Sequence, residues 1–416
     1  MAKIFPFQPY RYSAQAGDLN RLITQPYDKI TPAMQARYLS LSPYNLVRVI
    51  LGERKPEDSD ADNVYTRAAN YLNRWIEQGI LVRDESPGMY AYFQEFTTPG
   101  GDERLVRKSF IALGAVEDYG QGSVHRHEQT LSGPKQDRLE LLRRTRAHCE
   151  LIFMLYPDRE RAVDAILDEV AQGEADGAVT DEYGASHKIW RIADAERVRQ
   201  MQQILSDKKL LIADGHHRYE TALAFRNENP GLADARKVPV ALVNMYSEGL
   251  RILATHRVLS GLPDFNLDRV LAALTPRYRV ARFEEDAEAR RALEEIDPRR
   301  IRIGVAGQGA RGICVIERER AAGELDVRAL HEEILRDALG ISDEAVRNEK
   351  HLRYVRGLEP AIAEVRSGAA QAAFLLQPAS IEQVAEVSFG GGVMPQKSTD
   401  FYPKLLSGFT IYRVEK

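Results

Sequence analysis

The chain has little cysteine and no long hydrophobic run, and both shortages narrow what it can be. Only Cys149 and Cys314 occur among 416 residues, too few for a disulfide framework, and their spacing matches no zinc motif. No window approaches the roughly 20 apolar residues needed to cross a bilayer. The N-terminal residues lack the apolar run of a signal peptide. The sequence therefore predicts a soluble cytoplasmic protein without a membrane partner.

Neither positive nor negative charge dominates the sequence. The formal net charge is -4, and no block of five or more like charges occurs, which disfavours a general nucleic-acid surface. The composition, 44% hydrophobic and 28% charged, is that of a globular protein long enough for about two or three domains. The phosphate loop Gly-x-x-x-x-Gly-Lys is absent as well, so any nucleotide must use a different binding motif.

One glycine-rich segment matches the sequence pattern of a dinucleotide-binding site. Residues 307–312 match the pattern Gly-x-Gly-x-x-Gly and follow a strand-like run at 301–306. A dinucleotide fingerprint requires a helix next, whereas residues 313–316 are another apolar run. We therefore predict a hairpin here and no dinucleotide site.

The most informative segment lies at 210–220. An apolar run predicts a strand that ends at Asp214, followed by a helix to about Glu228. Such a helix start offers backbone N–H groups and the positive end of a dipole, a common phosphate site. Arg218 can grip phosphate oxygens, His216 or His217 can shuttle a proton, and Asp214 can hold Mg²⁺ or orient a histidine. The alternative is a solvated helix start in which Asp214 and Arg218 pair locally.

A second polar segment, at 125–138, combines charges of both signs. It contains His125, His127, Lys135 and Arg138, a mixture typical of functional loops. An ion-paired surface loop is the alternative. A zinc site needs three or four ligands, and two histidines without further partners at a known spacing do not predict one.

Two more segments carry candidate groups. Asp28 stands in a turn before a helix N-cap, where it is either a general base or metal ligand, or a turn residue that accepts local N–H bonds. The glycine-rich tail at 390–404 carries Lys397, Ser398 and Lys404. These residues either close over an anion or form an exposed basic loop, and glycine allows a close backbone approach.

The remaining pattern predicts an α+β fold with mixed sheets. We expect a strand at 46–50, an amphipathic helix at 60–78, and a hairpin of strands at 89–97 and 104–116. Near residue 261 the sequence pattern changes to one that predicts alternating short helices and strands. This predicts domains at 1–260 and 261–416, with the tail at 390–404 able to return to the active-site cleft.

Several of these segments together resemble the domain of unknown function 1015 family. They are Gln-Pro-Tyr-Asp-Lys-Ile at 25–30, Asn-Leu-Val-Arg at 45–48, the run at 127–139, Ile-Ala-Asp-Gly-His-His-Arg-Tyr-Glu at 212–220, Thr-His-Arg at 255–257 and the tail at 394–404. The central motif is similar to the phosphate-binding motif of the ParB/sulfiredoxin superfamily, in particular to that of the free serine kinases. The resemblance implies a ParB/sulfiredoxin-like core within 1–260, in which Gly215 and its neighbours hold nucleotide phosphates.

The same resemblance implies a phosphotransferase. ATP or ADP, with Mg²⁺, would donate phosphate to a small hydroxyl metabolite such as L-serine, and Asp28 would stand where those kinases typically carry a glutamate base. His127, Lys135, Arg138, Lys397, Ser398 and Lys404 would add to phosphate binding. Two alternatives stay open: a metal-dependent phosphohydrolase using His125, His127, His216 and His217, and a non-catalytic, nucleotide-switched binding protein.

Overall fold

The computed structural model describes residues 2–120, 122–128 and 132–415, without the side chains of 132–134. The chain divides into two compact units. Unit 1 comprises Met1–Arg126, Thr130–Arg251 and Pro403–Lys416, and unit 2 comprises His127–Gln129 and Ile252–Tyr402. The sequence predicts one division near residue 261, whereas the observed division follows Arg251. The C-terminal residues belong to unit 1 because their apolar side chains, such as Ile411, are buried in its core.

A nine-stranded mixed sheet organises unit 1. The unit's strands are β1 (Ile4–Phe5), β2 (Tyr10–Tyr12), β3 (Leu81–Arg83), β4 (Met89–Thr97), β5 (Arg104–Ala115), β6 (Val124–His125), β7 (Ala147–His148), β8 (Ile152–Tyr156), β9 (Gly177–Thr180), β10 (Ser186–Ile192), β11 (Leu210–Asp214), β12 (Lys237–Asn244) and β21 (Tyr412–Arg413). The main path of the sheet runs β6–β11–β8–β12–β5–β4–β10–β9, and β1 pairs with β5. The β11–β6 and β12–β8 pairs are parallel, and the other pairs are antiparallel.

The helices of unit 1 begin where the sequence supplies caps. The Thr31 hydroxyl accepts a hydrogen bond from the Met34 N–H at 3.3 Å, and Pro32 is the first helical residue, as predicted. Short 3-10 turns lie at Ala14–Ala16, Leu19–Arg21, Tyr27–Lys29 and Asp234–Arg236. The α-helices are α1 (Pro32–Leu41), α2 (Val47–Ile50), α3 (Val64–Glu77), α4 (Ser132–Thr145), α5 (Ala162–Val170), α6 (Ala195–Leu205) and α7 (His216–Glu228).

The predicted strand at 46–50 is wrong, because this segment forms the short helix α2. The Asn45 side chain accepts from the Val47 N–H at 3.0 Å and donates to the Arg21 carbonyl at 2.8 Å. The contact between Asn45 and Val47 is a local side-chain-to-backbone turn that leads into the helix. Val47, Val49 and Ile50 are all buried, so tertiary packing accommodates a run that reads as a strand in isolation.

A six-stranded antiparallel sheet organises unit 2. The strands are β13 (Arg251–Leu253), β14 (Thr255–Leu259), β15 (Arg279–Phe283), β16 (Arg300–Gly307), β17 (Ile313–Glu319), β18 (Leu352–Arg356), β19 (Ala372–Leu376) and β20 (Asp400–Tyr402). The sheet order is β15–β17–β16–β19–β14–β18, and the hairpin of β16 and β17 contains the 307–312 segment, as predicted. The helices are α8 (Leu267–Leu274), α9 (Asp286–Glu294), α10 (Asp326–Ala329), a π-helix (Leu330–Ala338), α11 (Asp343–Arg347), α12 (Leu358–Arg366) and α13 (Ile381–Phe389).

The fold is thus mixed, with helices packed on several sheets. Each sheet has its own apolar core, around Ile152 and Leu242 in unit 1 and around Val258 and Leu375 in unit 2. In the part of the chain that the structure describes, no helix combines the length and apolarity required to traverse a bilayer.

Candidate functional site

The site is built on the junction between β11 and α7. Residues 210–213 are apolar and buried, which places β11 inside the sheet. The pairing of β11 with β8 is irregular between Ile212 and Asp214. Gly215 then adopts φ 92° and ψ 27°, a left-handed conformation that favours glycine. A Cβ atom at Gly215 would lie 3.1 Å from the Arg218 guanidinium carbon, so glycine also makes room for that side chain.

Asp214 binds two cations at the end of β11. Its Oδ2 atom lies 2.9 Å from Arg218 Nη2, and its Oδ1 atom lies 3.3 Å from Lys404 Nζ. Burial of the carboxyl opposes its ionisation, but the charges of Lys404, Arg218 and Lys29 outweigh burial and hold the pKa of Asp214 well below its usual value. Asp214 is therefore a carboxylate at neutral pH. Its two oxygens bring the side chains of Arg218 and Lys404 together in unit 1.

Two more carboxylates stand beside Arg218. Burial alone would lower the pKa of Arg218, but the charges of Glu150, Asp214 and Asp28 raise it. Asp28 lies on the 3-10 turn Tyr27–Lys29, with 36% of its side chain exposed, and its Oδ2 is 4.0 Å from Lys29 Nζ. Asp28 is thus the solvent-facing carboxylate of the cluster.

Glu150 is a residue of this cluster that the sequence did not predict. Its Oε1 accepts from the Tyr27 N–H at 2.9 Å. Burial raises the pKa of Glu150, and the nearby Arg218 and Arg138 partly offset that rise. A cavity beside it is lined by Glu150, Arg138 and Arg218 together with apolar side chains. A lone glutamate before an apolar strand has no sequence signal, so only the fold identifies it.

Arg138 joins this cluster from the side of α4. Its guanidinium lies 4.2 Å from the Tyr27 ring centroid, and its Nη1 donates to the Ile50 carbonyl at 2.6 Å. Its Nε donates to Asp137 at 2.9 Å. Arg138 therefore lies in the candidate site, but these contacts already occupy part of its fork.

The two adjacent histidines differ in exposure. His216 is buried, whereas His217 and Arg218 are half-buried. Successive helical residues point about 100° apart, so the packing of α7 places His216 toward the core. Of the pair, His217 is the one better placed to meet a ligand.

Lys135 contacts a carboxylate that the sequence reading did not assign. Its Nζ lies 2.9 Å from Glu220 Oε2, and Arg126 Nη1 lies 3.4 Å from Glu220 Oε1. Glu220 is buried on α7, and a buried charge requires partners of this kind. Lys135 is therefore paired with Glu220.

Three predicted phosphate ligands belong to unit 2. His127 is fully buried, and its Nε2 lies 2.8 Å from the Thr399 hydroxyl. The Ser398 hydroxyl donates to the Pro395 carbonyl at 2.5 Å. Lys397 is exposed at a left-handed φ of 54°. His127 and Ser398 thus have local structural partners, while Lys404 is the tail residue that the structure groups with Asp214 in unit 1.

The sequence predicts two metal roles, Mg²⁺ at Asp214 and a metal shared by four histidines. Both carboxylate oxygens of Asp214 already contact cations, so a Mg²⁺ ion would compete with Arg218 and Lys404 there. Within residues 2–120, 122–128 and 132–415, no group of three or more His, Cys, Asp or Glu side chains is arranged to hold a metal ion. His125, His216 and His217 lie in unit 1 and His127 in unit 2, so the four histidines are not one cluster of a single unit.

The sequence at 4–329 matches the family described as a protein of unknown function (DUF1015). The chain belongs to this family. The match begins before Asp28 and covers the whole β11–α7 junction, so it includes most of the candidate site. No curated protein matches the sequence.

Solved structures give weaker likenesses. A conserved hypothetical protein from Pyrococcus furiosus is 15% identical with a TM-score of 0.36, over 70% of this chain and 92% of that one. A free serine kinase in complex with AMP is 15% identical with a TM-score of 0.38, over 70% and 88% of the two chains. SbnI from Staphylococcus aureus, truncated at its C-terminus, is 13% identical with a TM-score of 0.35, over 71% and 85%.

Proposed function

We propose that the chain is a nucleotide-dependent phosphotransferase that acts on a small hydroxyl metabolite, with L-serine as the first candidate. The observation that carries the proposal is the β11–Gly215–α7 junction, where Arg218 and Lys404 converge on the Asp214 carboxylate. Phosphoryl transfer chiefly requires positioning and neutralisation of charge, and a helix start with two adjacent cations supplies both. We further propose that this junction belongs to a ParB/sulfiredoxin-like core in unit 1.

The proposed roles follow from exposure and charge. The first-turn N–H groups of α7, with Arg218, Lys404 and His217, bind the phosphates of ATP or ADP. The substrate hydroxyl oxygen attacks the terminal phosphorus as the bond to the nucleotide's bridging oxygen breaks, and the hydroxyl proton passes to Asp28. Asp28 is the more exposed acceptor, whereas Glu150 is tied to the Tyr27 N–H. Asp214 orients the two cations.

The test combines binding with turnover. The chain is incubated with ATP or ADP, Mg²⁺ and a panel of hydroxy amino acids that includes L-serine, with products followed by mass spectrometry and nucleotide affinity by calorimetry. Arg218→Met is expected to weaken nucleotide binding about tenfold or more, because a charge-assisted contact is lost. Asp28→Asn is expected to keep binding and lower kcat by about 10²–10⁴, the usual contribution of a general base.

The matched control is Arg199→Met, an equal truncation at a side chain of α6 that is 65% exposed, and it should change neither readout. Absence of both nucleotide binding and any phosphorylated product would overturn the proposal. Nucleotide binding without turnover would instead support a non-catalytic, nucleotide-switched binding protein.

A further inference from the structure

The C-terminal strap, defined as residues 403–406, brings Lys404 to Asp214 without forming a helix or strand. Lys404 is only 9% exposed. A lysine side chain is a flexible stem with many rotamers, and an irregular backbone adds further freedom. A fixed distance between Lys404 Nζ and Asp214 therefore requires other groups to hold the strap.

Polar side chains of unit 1 hold the strap by its backbone. Gln94 Nε2 donates to the Lys404 carbonyl at 2.9 Å, and Arg107 Nη2 donates to the Pro403 carbonyl at 2.5 Å. The Leu406 N–H donates to the Tyr92 hydroxyl at 3.2 Å. Three of the four strap residues are thus fixed by side chains of β4 and β5.

These side chains form a row across adjacent strands. Gln94 on β4 is in register with Arg107 on β5 and with His187 on β10. Arg107 Nε also donates to Gln94 Oε1 at 3.0 Å. Tyr92 precedes Gln94 by two residues and so lies on the same face of β4. All four side chains are fully buried.

Burying such a row is unfavourable unless its groups find partners. Burial lowers the pKa of Arg107 to about 10, and apolar side chains of similar volume would often pack at lower cost. The row is satisfied partly by its own members and partly by the strap carbonyls and the Leu406 N–H. Apolar side chains at these positions could not form the hydrogen bonds to the strap backbone.

At the His187 end of the row, the hydrogen bonds among Tyr92, His187 and Asp181 run in one direction. The Tyr92 hydroxyl lies 2.8 Å from His187 Nδ1, and His187 Nε2 lies 3.2 Å from Asp181 Oδ2. The Asp181 carboxylate can only accept, so a neutral His187 carries its proton on Nε2 and donates it to Asp181. Its Nδ1 is then an acceptor for the Tyr92 hydroxyl proton, while the Tyr92 oxygen accepts from the Leu406 N–H. Burial lowers the pKa of His187 and favours this neutral form, although Asp181 partly opposes the shift.

We propose that Tyr92, Gln94 and Arg107 are positioning residues that hold the strap so that Lys404 meets Asp214 and the bound phosphates. The inference rests on the proposed function for its ligand. None of these side chains needs to touch the nucleotide. They act through Lys404, so their effect should vanish when the Lys404 ammonium is removed.

Two conservative variants interrupt the contacts. Tyr92→Phe removes the acceptor of the Leu406 N–H. Gln94→Glu keeps an acceptor for Arg107 but removes the donor to the Lys404 carbonyl. Tyr156→Phe is the matched control, because Tyr156 is equally buried and its hydroxyl has no hydrogen-bond partner among the described residues. Each change is made in the full chain and in a Lys404→Met background.

Two measurements follow. Calorimetry gives the Kd for ADP, and NMR of the aspartate carboxyl carbons gives the pKa of Asp214. Tyr92→Phe and Gln94→Glu should each weaken ADP binding about fivefold, part of one charge-assisted hydrogen bond, and add nothing in the Lys404→Met background. Tyr92→Phe should also raise the pKa of Asp214 toward its usual value, because Lys404 moves away. The titration is made on Tyr92→Phe alone, since the carboxylate added by Gln94→Glu would raise that pKa directly. Tyr156→Phe should change neither quantity.

The inference is overturned if both variants match Tyr156→Phe in ADP binding and Tyr92→Phe leaves the pKa of Asp214 unchanged, or if the two variants weaken ADP binding equally with Lys404→Met present. Failure of the unmodified chain to bind ADP would count against the proposed function alone. The Asp214 titration, which needs no ligand, would then decide the positioning role by itself.

Discussion

At the scale of single residues, the carboxylate of Asp214 sets the electrostatics of the candidate site. Its two oxygens contact different cations, Arg218 from the same helix junction and Lys404 from the distant C-terminus. The local partner is the one that the sequence offered as the alternative to a phosphate site. The distant partner, and Glu150 beside Arg218, depend on how separate segments fold together.

Asp214→Asn should make stability less dependent on acid pH. A carboxyl whose folded pKa is lowered stabilises the fold above its unfolded pKa of about 3.9, and this contribution disappears as pH falls toward the folded pKa. We expect a loss of about 2 kcal/mol at pH 7, because two cations lose a partly buried partner, and a smaller difference below about pH 4.

Urea unfolding at pH 7, 5 and 3.5 measures this difference. Asp207→Asn, at a side chain that is 72% exposed, is the control and should leave stability nearly unchanged at every pH. A difference between Asp214→Asn and the unmodified chain that stays constant from pH 7 to pH 3.5 would contradict the assigned ionisation of Asp214.

At the scale of elements, the turn between β11 and α7 depends on one glycine. Gly215→Ala should destabilise the chain by about 1–2 kcal/mol, the usual cost of a left-handed alanine, and should displace the Arg218 guanidinium. Gly231→Ala is the control, because a Cβ there meets nothing within 4 Å and its φ is not left-handed. Thermal unfolding compares their stabilities, and equal losses in the two variants would argue against a special role for Gly215.

Element prediction succeeded where a local signal was unambiguous. The helix α7 occupies His216–Glu228, as predicted from the break at Asp214–Gly215, and the β4–β5 hairpin spans the expected strands. It failed at α2, where an apolar run of valine and isoleucine fits either a strand or a buried helical turn. The helical turn that forms there follows a turn held by the side-chain hydrogen bonds of Asn45.

At the scale of the whole molecule, unit 1 needs the end of the chain. Ile411, Phe409 and Leu406 are almost completely buried, and each contributes about 1.5–3 kcal/mol, a sum comparable with the about 5–15 kcal/mol that stabilises a typical domain. A chain ending at residue 402 should therefore lose cooperative unfolding of unit 1.

Tryptophan fluorescence can follow this loss, because the two tryptophans, Trp75 and Trp190, both lie in unit 1. A chain that ends at residue 414 is the control and should unfold as the complete chain does, since it keeps the buried apolar residues. A sharp tryptophan transition at an unchanged temperature in the chain ending at 402 would show that unit 1 does not depend on the strap and the residues after it.

The family and the strand–glycine–helix junction can be predicted from residues that lie close together in the chain. The pairing of Asp214 with Arg218, which the sequence offered as the alternative to a phosphate site, is also local. Which distant groups join them depends on the tertiary fold. It places the unpredicted Glu150 beside the junction, brings the predicted Lys404 to Asp214, pairs Lys135 with Glu220, and assigns His127, Lys397 and Ser398 to unit 2. Burial and strand register determine which groups a charged side chain contacts. Neither can be predicted from the sequence immediately around that residue.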